Sequence, residues 1–202
     1  MRPSLTLVPL LTIGLAACGD PGHDHDHGNE AEVITTVVLR FLPSGGGSAL
    51  EFTWADPEDD GSPVIDDITL ADADDYDVTV SFLNELEDPA EDITAEVEDE
   101  SDQHQVFFTG SAVKGPATGT AVGLVTHAYA DEDVNGLPVG LENTFTTDTT
   151  GNGELIVTLR HMPPENDSPV KLDGAAEDVA AGGFTSIGGD NDAQVTFNLT
   201  VE

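Results

Sequence analysis

The chain has 202 residues, and its 40 aspartates and glutamates outnumber its 5 lysines and arginines so strongly that the formal net charge is −35. A surface of this charge repels phosphate groups, which excludes nucleic acids and anionic lipid headgroups as expected partners and makes cations the natural ligands. A dense carboxylate surface is also expected of a protein that stays soluble in salty surroundings, so the charge alone does not establish cation binding.

The amino-terminal residues have the pattern of a lipoprotein signal. Arg2 precedes an apolar run over residues 5–14, which is too short to span a membrane, and the sequence Leu-Ala-Ala then leads to Cys18. This ending is typical of a bacterial lipobox and predicts a signal peptide at residues 1–17, removed before a lipidated Cys18. As Cys18 is the sole cysteine, no intramolecular disulfide can form. Gly19 follows it in place of aspartate, as in lipoproteins sent to the outer membrane, where the protein is expected to be periplasmic or surface-exposed.

A polar segment over residues 18–31 follows the signal and lacks the large apolar residues that a core needs. Within it, His23, His25 and His27 alternate with aspartates, and histidine is the commonest side chain for binding zinc, copper or nickel. Two interpretations are open. The segment is either a metal-binding tether or a polar spacer between the lipid and a folded domain.

Short β-rich runs, separated by clusters of Gly, Asp, Asn and Pro, occupy the rest of the chain. In most of them apolar residues recur at every second position, as in a strand with one buried face. The nine runs cover residues 32–41, 49–54, 64–70, 75–84, 104–110, 121–130, 141–147, 153–161 and 193–201.

Only one segment, residues 88–105, has a helical pattern. Asp88 stands at the N-cap position and Pro89 at the first helical position, while Ile93 and Val97 form an apolar stripe. The chain is therefore expected to be all-β: an antiparallel, immunoglobulin-like β-sandwich of about nine strands with one short crossover helix. This single domain is expected to cover residues 32–202.

One loop fits the calcium-binding pattern, in which oxygen ligands stand at positions 1, 3, 5 and 12. These positions hold Asp131, Asp133, Asn135 and Glu142, and Gly136 supplies the sharp turn. The loop joins two strands, however, and Asn-Gly is also favoured in hairpin turns. A calcium site and a plain acidic turn therefore remain as alternatives.

Three histidines lie inside the predicted domain. His104 is expected at the end of the helix, and His127 and His161 share strand parity with apolar neighbours. If two of them meet at one edge of the sandwich, they can bind zinc or copper. A single histidine in such a position is more typical of a structural residue.

No enzyme motif occurs in the chain. It has no Gly-x-Ser-x-Gly elbow and no phosphate-binding glycine loop, and its one cysteine is assigned to lipidation. Among 40 acidic residues, a pair of carboxylates carries no information about acid–base catalysis. The expected function is non-catalytic.

Several segments resemble a family of exported Bacteroidota lipoproteins known as type 1 periplasmic binding fold superfamily proteins. They cover residues 32–41, 83–108, 131–147, 153–164 and 188–201. The resemblance is most specific over 83–108, and it implies an exported lipoprotein that works beside an outer-membrane TonB-dependent receptor. It supplies no catalytic residues, and it favours His104 and His161 over His127 as ligands because both lie in matching segments. The family's name describes two α/β lobes, whereas a chain with one predicted helix is expected to form the β-sandwich.

The sequence thus predicts a monomeric, lipid-anchored binding protein of the outer membrane that handles a metal cation. Zinc or copper is expected at the histidines, and calcium at the Asp131 loop is a separate expectation. The alternative is a structural surface lipoprotein with acidic turns and no transition-metal role.

Overall fold

The computed structural model describes residues 32–166 and 168–202, whose main elements are β-strands. In chain order the strands are β1 (Thr36–Pro43), β2 (Leu50–Ala55), β3 (Val64–Ile65), β4 (Ile68–Leu70), β5 (Asp75–Asn84), β6 (Glu91–Asp92), β7 (His104–Thr109), β8 (Val113–Lys114), β9 (Val125–Tyr129), β10 (Glu142–Thr147), β11 (Gly151–His161) and β12 (Asp190–Val201). The helices are α1 (Ile93–Asp99), α2 (Ala175–Gly182) and a short 3-10 helix at Phe184–Ser186. Cys18, His23, His25 and His27 lie outside the described residues, so the predictions for the signal and the tether are unchanged.

The strands form two sheets. The first has the order β3-β2-β1-β5-β10-β9-β8, with β6 paired to β5, and the second has the order β4-β12-β11-β7. The prediction of an all-β chain is confirmed as a mostly β fold with two sheets. The expectation of a purely antiparallel fold is wrong for two short pairs, because β4 runs parallel to β12 and β8 runs parallel to β9.

Each of the nine predicted runs contains at least one strand, but the described residues form twelve. The run at 64–70 divides into β3 and β4, which belong to different sheets. The two remaining strands, β6 and β8, are two residues long, and a pairing of that length has no detectable sequence period.

The main core lies between the two sheets. It is formed by alternate residues of the long strands, because successive side chains of a strand point to opposite faces. The inward-facing residues include Val37, Leu39 and Phe41 of β1, Tyr76, Val78, Val80 and Phe82 of β5, Leu155, Val157 and Leu159 of β11, and Val195, Phe197 and Leu199 of β12.

The helix α1 carries the chain from the first sheet to the second and buries the predicted stripe of Ile93 and Val97. Its N-cap is Asp92, whose side chain accepts a hydrogen bond from the backbone N–H of Thr94 at 3.1 Å. The predicted N-cap at Asp88 is therefore wrong by one turn, and residues 91–92 pair with β5 instead of entering the helix.

A second helix covers the outer face of β7, which corrects the expectation of a single helix. Ala175, Ala176 and Val179 of α2 join Phe107 and Met162 in a small second core. The α2 sequence is short and alanine-rich, so it presents only small apolar side chains and gives a weak helical signal. None of the described helices is long and apolar enough to cross a membrane.

The centre of the main core provides a test of this packing. Phe41 is fully buried and makes edge-to-face contacts with Phe52, Tyr76 and Phe145, at ring-centroid distances of 5.8, 5.9 and 5.7 Å. We expect F41A to lower the free energy of unfolding by about 3–5 kcal/mol in urea denaturation, because it leaves a cavity. R40A, at the exposed neighbouring position, is the control. A loss below about 1 kcal/mol for F41A would contradict this arrangement.

Candidate metal centre

Two histidines meet across the pair of strands β7 and β11. His104 begins β7, His161 ends β11, and the two are direct register partners. Side chains of directly opposed residues in an antiparallel pair lie on the same face. The imidazole rings are stacked, with centroids 4.4 Å apart and planes 7° apart, and the residues are only 1% and 5% exposed. The expectation that His104 ends the helix is wrong, because α1 ends at Asp99.

Glu100 completes a cluster of three potential ligands. It is the C-cap residue of α1, four positions before His104. One ligand atom from each of Glu100, His104 and His161 can be chosen so that all three lie within 4.8 Å of one another. Two ligand atoms on one tetrahedral zinc ion are about 3.4 Å apart, so the separation of the three side chains is close to that needed for a shared ion.

The tautomer of His104 follows from its hydrogen bond. Its Nδ1 lies 3.2 Å from the backbone carbonyl oxygen of Glu100. Because a carbonyl oxygen can only accept a hydrogen bond, Nδ1 carries a proton, so Nε2 is the ring nitrogen that can bind a metal ion. A metal-binding histidine is commonly oriented in this way, through the ring nitrogen that does not bind the ion.

Polar atoms near His104 lack the partners that buried groups normally have. Its Nε2 and both carboxylate oxygens of Asp192 are buried, and no hydrogen-bond partner for them occurs within residues 32–166 and 168–202. The Asp192 side chain is 1% exposed, and its Oδ2 lies 3.7 Å from His104 Nε2, too far for a hydrogen bond. Buried polar groups without partners often indicate an ion or a water molecule.

The surroundings of His161 favour its neutral form. Burial lowers the pKa of His161, and the neighbouring ring of His104 lowers it further, while Asp192 and Glu100 act in the opposite direction. The net effect is a pKa below the ordinary value, so the imidazole keeps the unprotonated nitrogen that a metal ion needs.

The stacking of the two rings limits how they can bind. The lone pair of an imidazole nitrogen lies in the ring plane, so two parallel rings do not point at a single position between them. One ring has to turn about its side-chain torsions before both can bind the same ion. Two imidazoles with carboxylates form a donor set that suits zinc or copper, whereas calcium prefers a shell of oxygen atoms.

His127 is not part of the cluster and lies in the main core. It is 2% exposed, its Nε2 is 2.9 Å from Asn143 Oδ1, and its ring contacts Phe108, Tyr129 and Phe145. Desolvation by burial lowers the pKa of His127 to about 4, although the hydrogen bond that its Nε2 donates to Asn143 Oδ1 opposes this shift. This environment is that of a structural histidine.

In the predicted calcium loop, the first carboxylate is used to hold the backbone. Asp131 Oδ1 accepts a hydrogen bond from the N–H of Gly140 at 2.7 Å. Its Oδ2 accepts from the N–H groups of Leu141 and Glu142 at 2.8 and 2.9 Å. These bonds close the loop between β9 and β10.

The second carboxylate of the loop has a lysine as its counter-ion. Asp133 Oδ2 lies 2.9 Å from Lys171 Nζ, both side chains are fully buried, and Nζ also donates to the carbonyl oxygen of Ser101 at 2.7 Å. Burial by itself raises the pKa of Asp133, but hydrogen bonds from Lys171 and from the backbone of Leu137 and Asn135 outweigh it and leave the pKa below its ordinary value. Lys171 thus ties the loop to the end of α1.

This geometry does not favour calcium in the loop. Both oxygens of Asp131 and Oδ1 of Asp133 already accept hydrogen bonds, and Lys171 supplies the positive charge at Asp133 Oδ2. The other two predicted ligands, Asn135 and Glu142, are exposed. Calcium at this loop stays a prediction without structural support.

Three residues of these sites were not identified from the sequence. Glu100 had a usable signal, its spacing of four residues from His104. Asp192 and Lys171 had none, because each is one charged residue in a segment without periodicity, and their roles depend on contacts with distant parts of the chain.

In comparisons with known proteins, no family model and no curated protein matches this sequence. The candidate centre therefore has to be interpreted from its own geometry.

The buried ion pair provides a stability prediction. K171M leaves the Asp133 carboxylate buried without its counter-ion, so we expect a loss of about 3–5 kcal/mol in the free energy of unfolding. K114M is the matched control, because Lys114 and Asp148 form a 3.0 Å pair whose side chains are 32% and 31% exposed. Urea denaturation should show a loss below about 1 kcal/mol for the control. Equal losses in the two variants would contradict the assigned burial.

The core histidine provides a pH prediction. Folded His127 takes up its proton near pH 4, whereas the ordinary value of 6.5 applies to the unfolded chain. Between these values the unfolded state binds more protons, so the contribution of His127 to stability is complete above pH 6.5 and is lost as the pH falls toward 4. We expect the difference in unfolding free energy between the parent and H127Q to change by about 3 kcal/mol between pH 7 and pH 4, in favour of H127Q at low pH. A constant difference in urea denaturation would show that the ring is not desolvated.

Proposed function

We propose that this chain is a non-catalytic binding protein for a transition-metal cation, zinc or copper, held by Glu100, His104 and His161. One observation carries the proposal: three side chains of ligand type converge within 4.8 Å at a buried position. Two observations support it: the hydrogen bond at His104 Nδ1 leaves Nε2 as the nitrogen that can face an ion, and the lowered pKa of His161 favours a neutral ring there.

The proposed place of the protein is the outer membrane, to which lipid on Cys18 anchors it. The support is the lipobox pattern and Gly19 after it. In this setting His23, His25 and His27 raise the local concentration of the metal ion beside the domain, which helps only if the domain has a site of its own. The resemblance to exported lipoproteins supports a TonB-dependent receptor as the neighbouring partner.

For the fold, we propose the immunoglobulin-like class of β-sandwich, acting as a rigid support for the centre. Its support is the way the chain passes between sheets, from β5 through α1 to β7 and from β10 to β11. Both ligating histidines are then placed by strands and not by loops, which favours a defined geometry.

A structural surface lipoprotein is the second candidate, and the parallel stacking of His104 and His161 favours it. Rings 7° from parallel are well packed against each other but do not aim at one ion. In that case the pair contributes to packing at the end of β7 and β11, and the acidic turns keep the surface soluble.

Metal titration distinguishes the two candidates. The full chain is used with H23A, H25A and H27A as background, so that the tether cannot contribute, and zinc and copper binding are measured by calorimetry. We expect micromolar or tighter binding of at least one ion, with affinity about 100-fold lower in H104A and in H161A, because each removes a direct ligand. H127Q is the control and should bind as the background does.

The opposite outcomes are equally informative. Absence of binding in the background chain would eliminate the metal-binding function and leave the structural candidate. Binding that survives both H104A and H161A would place the ion elsewhere.

A further inference from the structure

A bulge in β12 places a second carboxylate, and thus a fourth side chain of ligand type, beside the candidate centre. Leu159 pairs with Ala193, but the next residue, Arg160, pairs with Asn191, so Asp192 is the extra residue on β12. Bulges redirect a side chain relative to the regular alternation of the strand and are common beside functional sites. Here the bulge is opposite the end of β11, where His161 lies.

Hydrogen bonds from Arg160 and a close backbone approach at Gly189 hold the chain at the bulge in place. The Arg160 guanidinium donates to Asn191 Oδ1 at 2.8 Å and to the carbonyl oxygens of Gly188 and Phe184 at 2.9 and 3.4 Å. Gly189 has a φ of +76° and lies so close to the carbonyl oxygen of His161 that a Cβ would be 2.0 Å from it. These contacts hold the chain before the bulge tightly against β11.

The position of Asp192 is unfavourable for a carboxylate that has no ligand. Its side chain is 1% exposed, both carboxylate oxygens lack a hydrogen-bond donor among the residues that the structure describes, and Oδ2 lies 3.7 Å from His104 Nε2, which also lacks a partner there. Buried polar atoms without hydrogen bonds cost free energy, because they are neither solvated nor paired. A metal ion between the two atoms would satisfy both.

We propose that Asp192 is the fourth protein ligand of the centre and makes it a site for a divalent ion of the zinc type. This inference rests on the proposed function. The two imidazoles would supply nitrogen ligands, and the carboxylates of Glu100 and Asp192 would supply oxygen ligands with negative charge to offset a divalent cation in a poorly solvated place. Monovalent copper prefers thiolate and thioether ligands, which this centre does not contain.

The test is a competition titration of zinc against a chromophoric chelator, with the full chain carrying H23A, H25A and H27A. We expect D192N to bind zinc about 100-fold more weakly than this parent, since it loses a direct ligand. D190N is the matched control: Asp190 is exposed, is the register partner of His161 and carries the same charge. The zinc affinity of D190N should stay within about threefold of the parent, because removing a nearby negative charge that does not coordinate the ion has only a small effect.

Two further measurements separate a ligand from a structural residue. D192E keeps the charge but moves the oxygens, and its zinc affinity should fall at least about tenfold. With chelator present, D192N should melt about 3 °C above the parent because a buried carboxylate without a hydrogen-bond donor is removed, and with saturating zinc this order should reverse.

The outcomes distinguish the proposed metal-binding function from the proposed role of Asp192 as a ligand. Zinc binding that needs His104 and His161 but is unchanged in D192N and D192E would overturn the role of Asp192 and leave the proposed function intact. D192N melting below the parent by the same amount with and without zinc would also overturn it, because that is the behaviour of a structural residue. Absence of zinc binding in the parent would overturn the inference about Asp192, and absence of both zinc and copper binding would overturn the proposed function as well.

Discussion

The pairing of β7 with β11 is the constraint on which the candidate centre depends. β11 lies inside the second sheet, between β12 and β7, and its inward residues fill the core. Because a slip of one residue would turn every side chain of a strand to the other face, the core requires the observed register. That register sets His161 directly opposite His104 and on the inward side. The histidine pair is thus a consequence of the packing of Leu155, Val157 and Leu159 further along the strand.

The scarcity of positive charge gives a particular importance to two buried cations. Arg160 is 9% exposed and Lys171 is 2% exposed, although the chain has only 5 such residues against 40 acidic ones. Each holds an irregular segment: Arg160 holds the chain before the bulge, and Lys171 joins the loop at Asp133 to the end of α1. Since buried backbone and carboxylate groups outside regular structure need partners, a few well-placed cations stabilise connections that strands alone leave open.

The two acidic places in the structure differ in how their charge is satisfied. At Asp133, Oδ1 accepts from two backbone N–H groups and Oδ2 has the Lys171 ammonium 2.9 Å away, so an additional cation would have to displace a cation already in place. At Asp192, no hydrogen-bond donor in the described part of the chain reaches either oxygen, and the nearby His104 Nε2 also lacks a partner. The calcium-binding motif thus lies at the Asp131 loop, whereas the buried carboxylate without hydrogen-bond donors is Asp192. The physical argument for a bound cation is therefore stronger at Asp192.

The sequence by itself determined the local elements of this protein. Alternation of apolar residues located nine strand-containing segments, and the spacing of Ile93 and Val97 located α1, because these periods reflect which face of an element is buried. It also marked His104 and His161 as candidates. Only the tertiary structure decided that these two histidines meet, that Glu100 and Asp192 accompany them, and that Lys171 occupies the acidic loop. The physical reason is that strand register, a bulge and a buried ion pair depend on contacts between residues far apart in the chain, which leave no period in the local sequence.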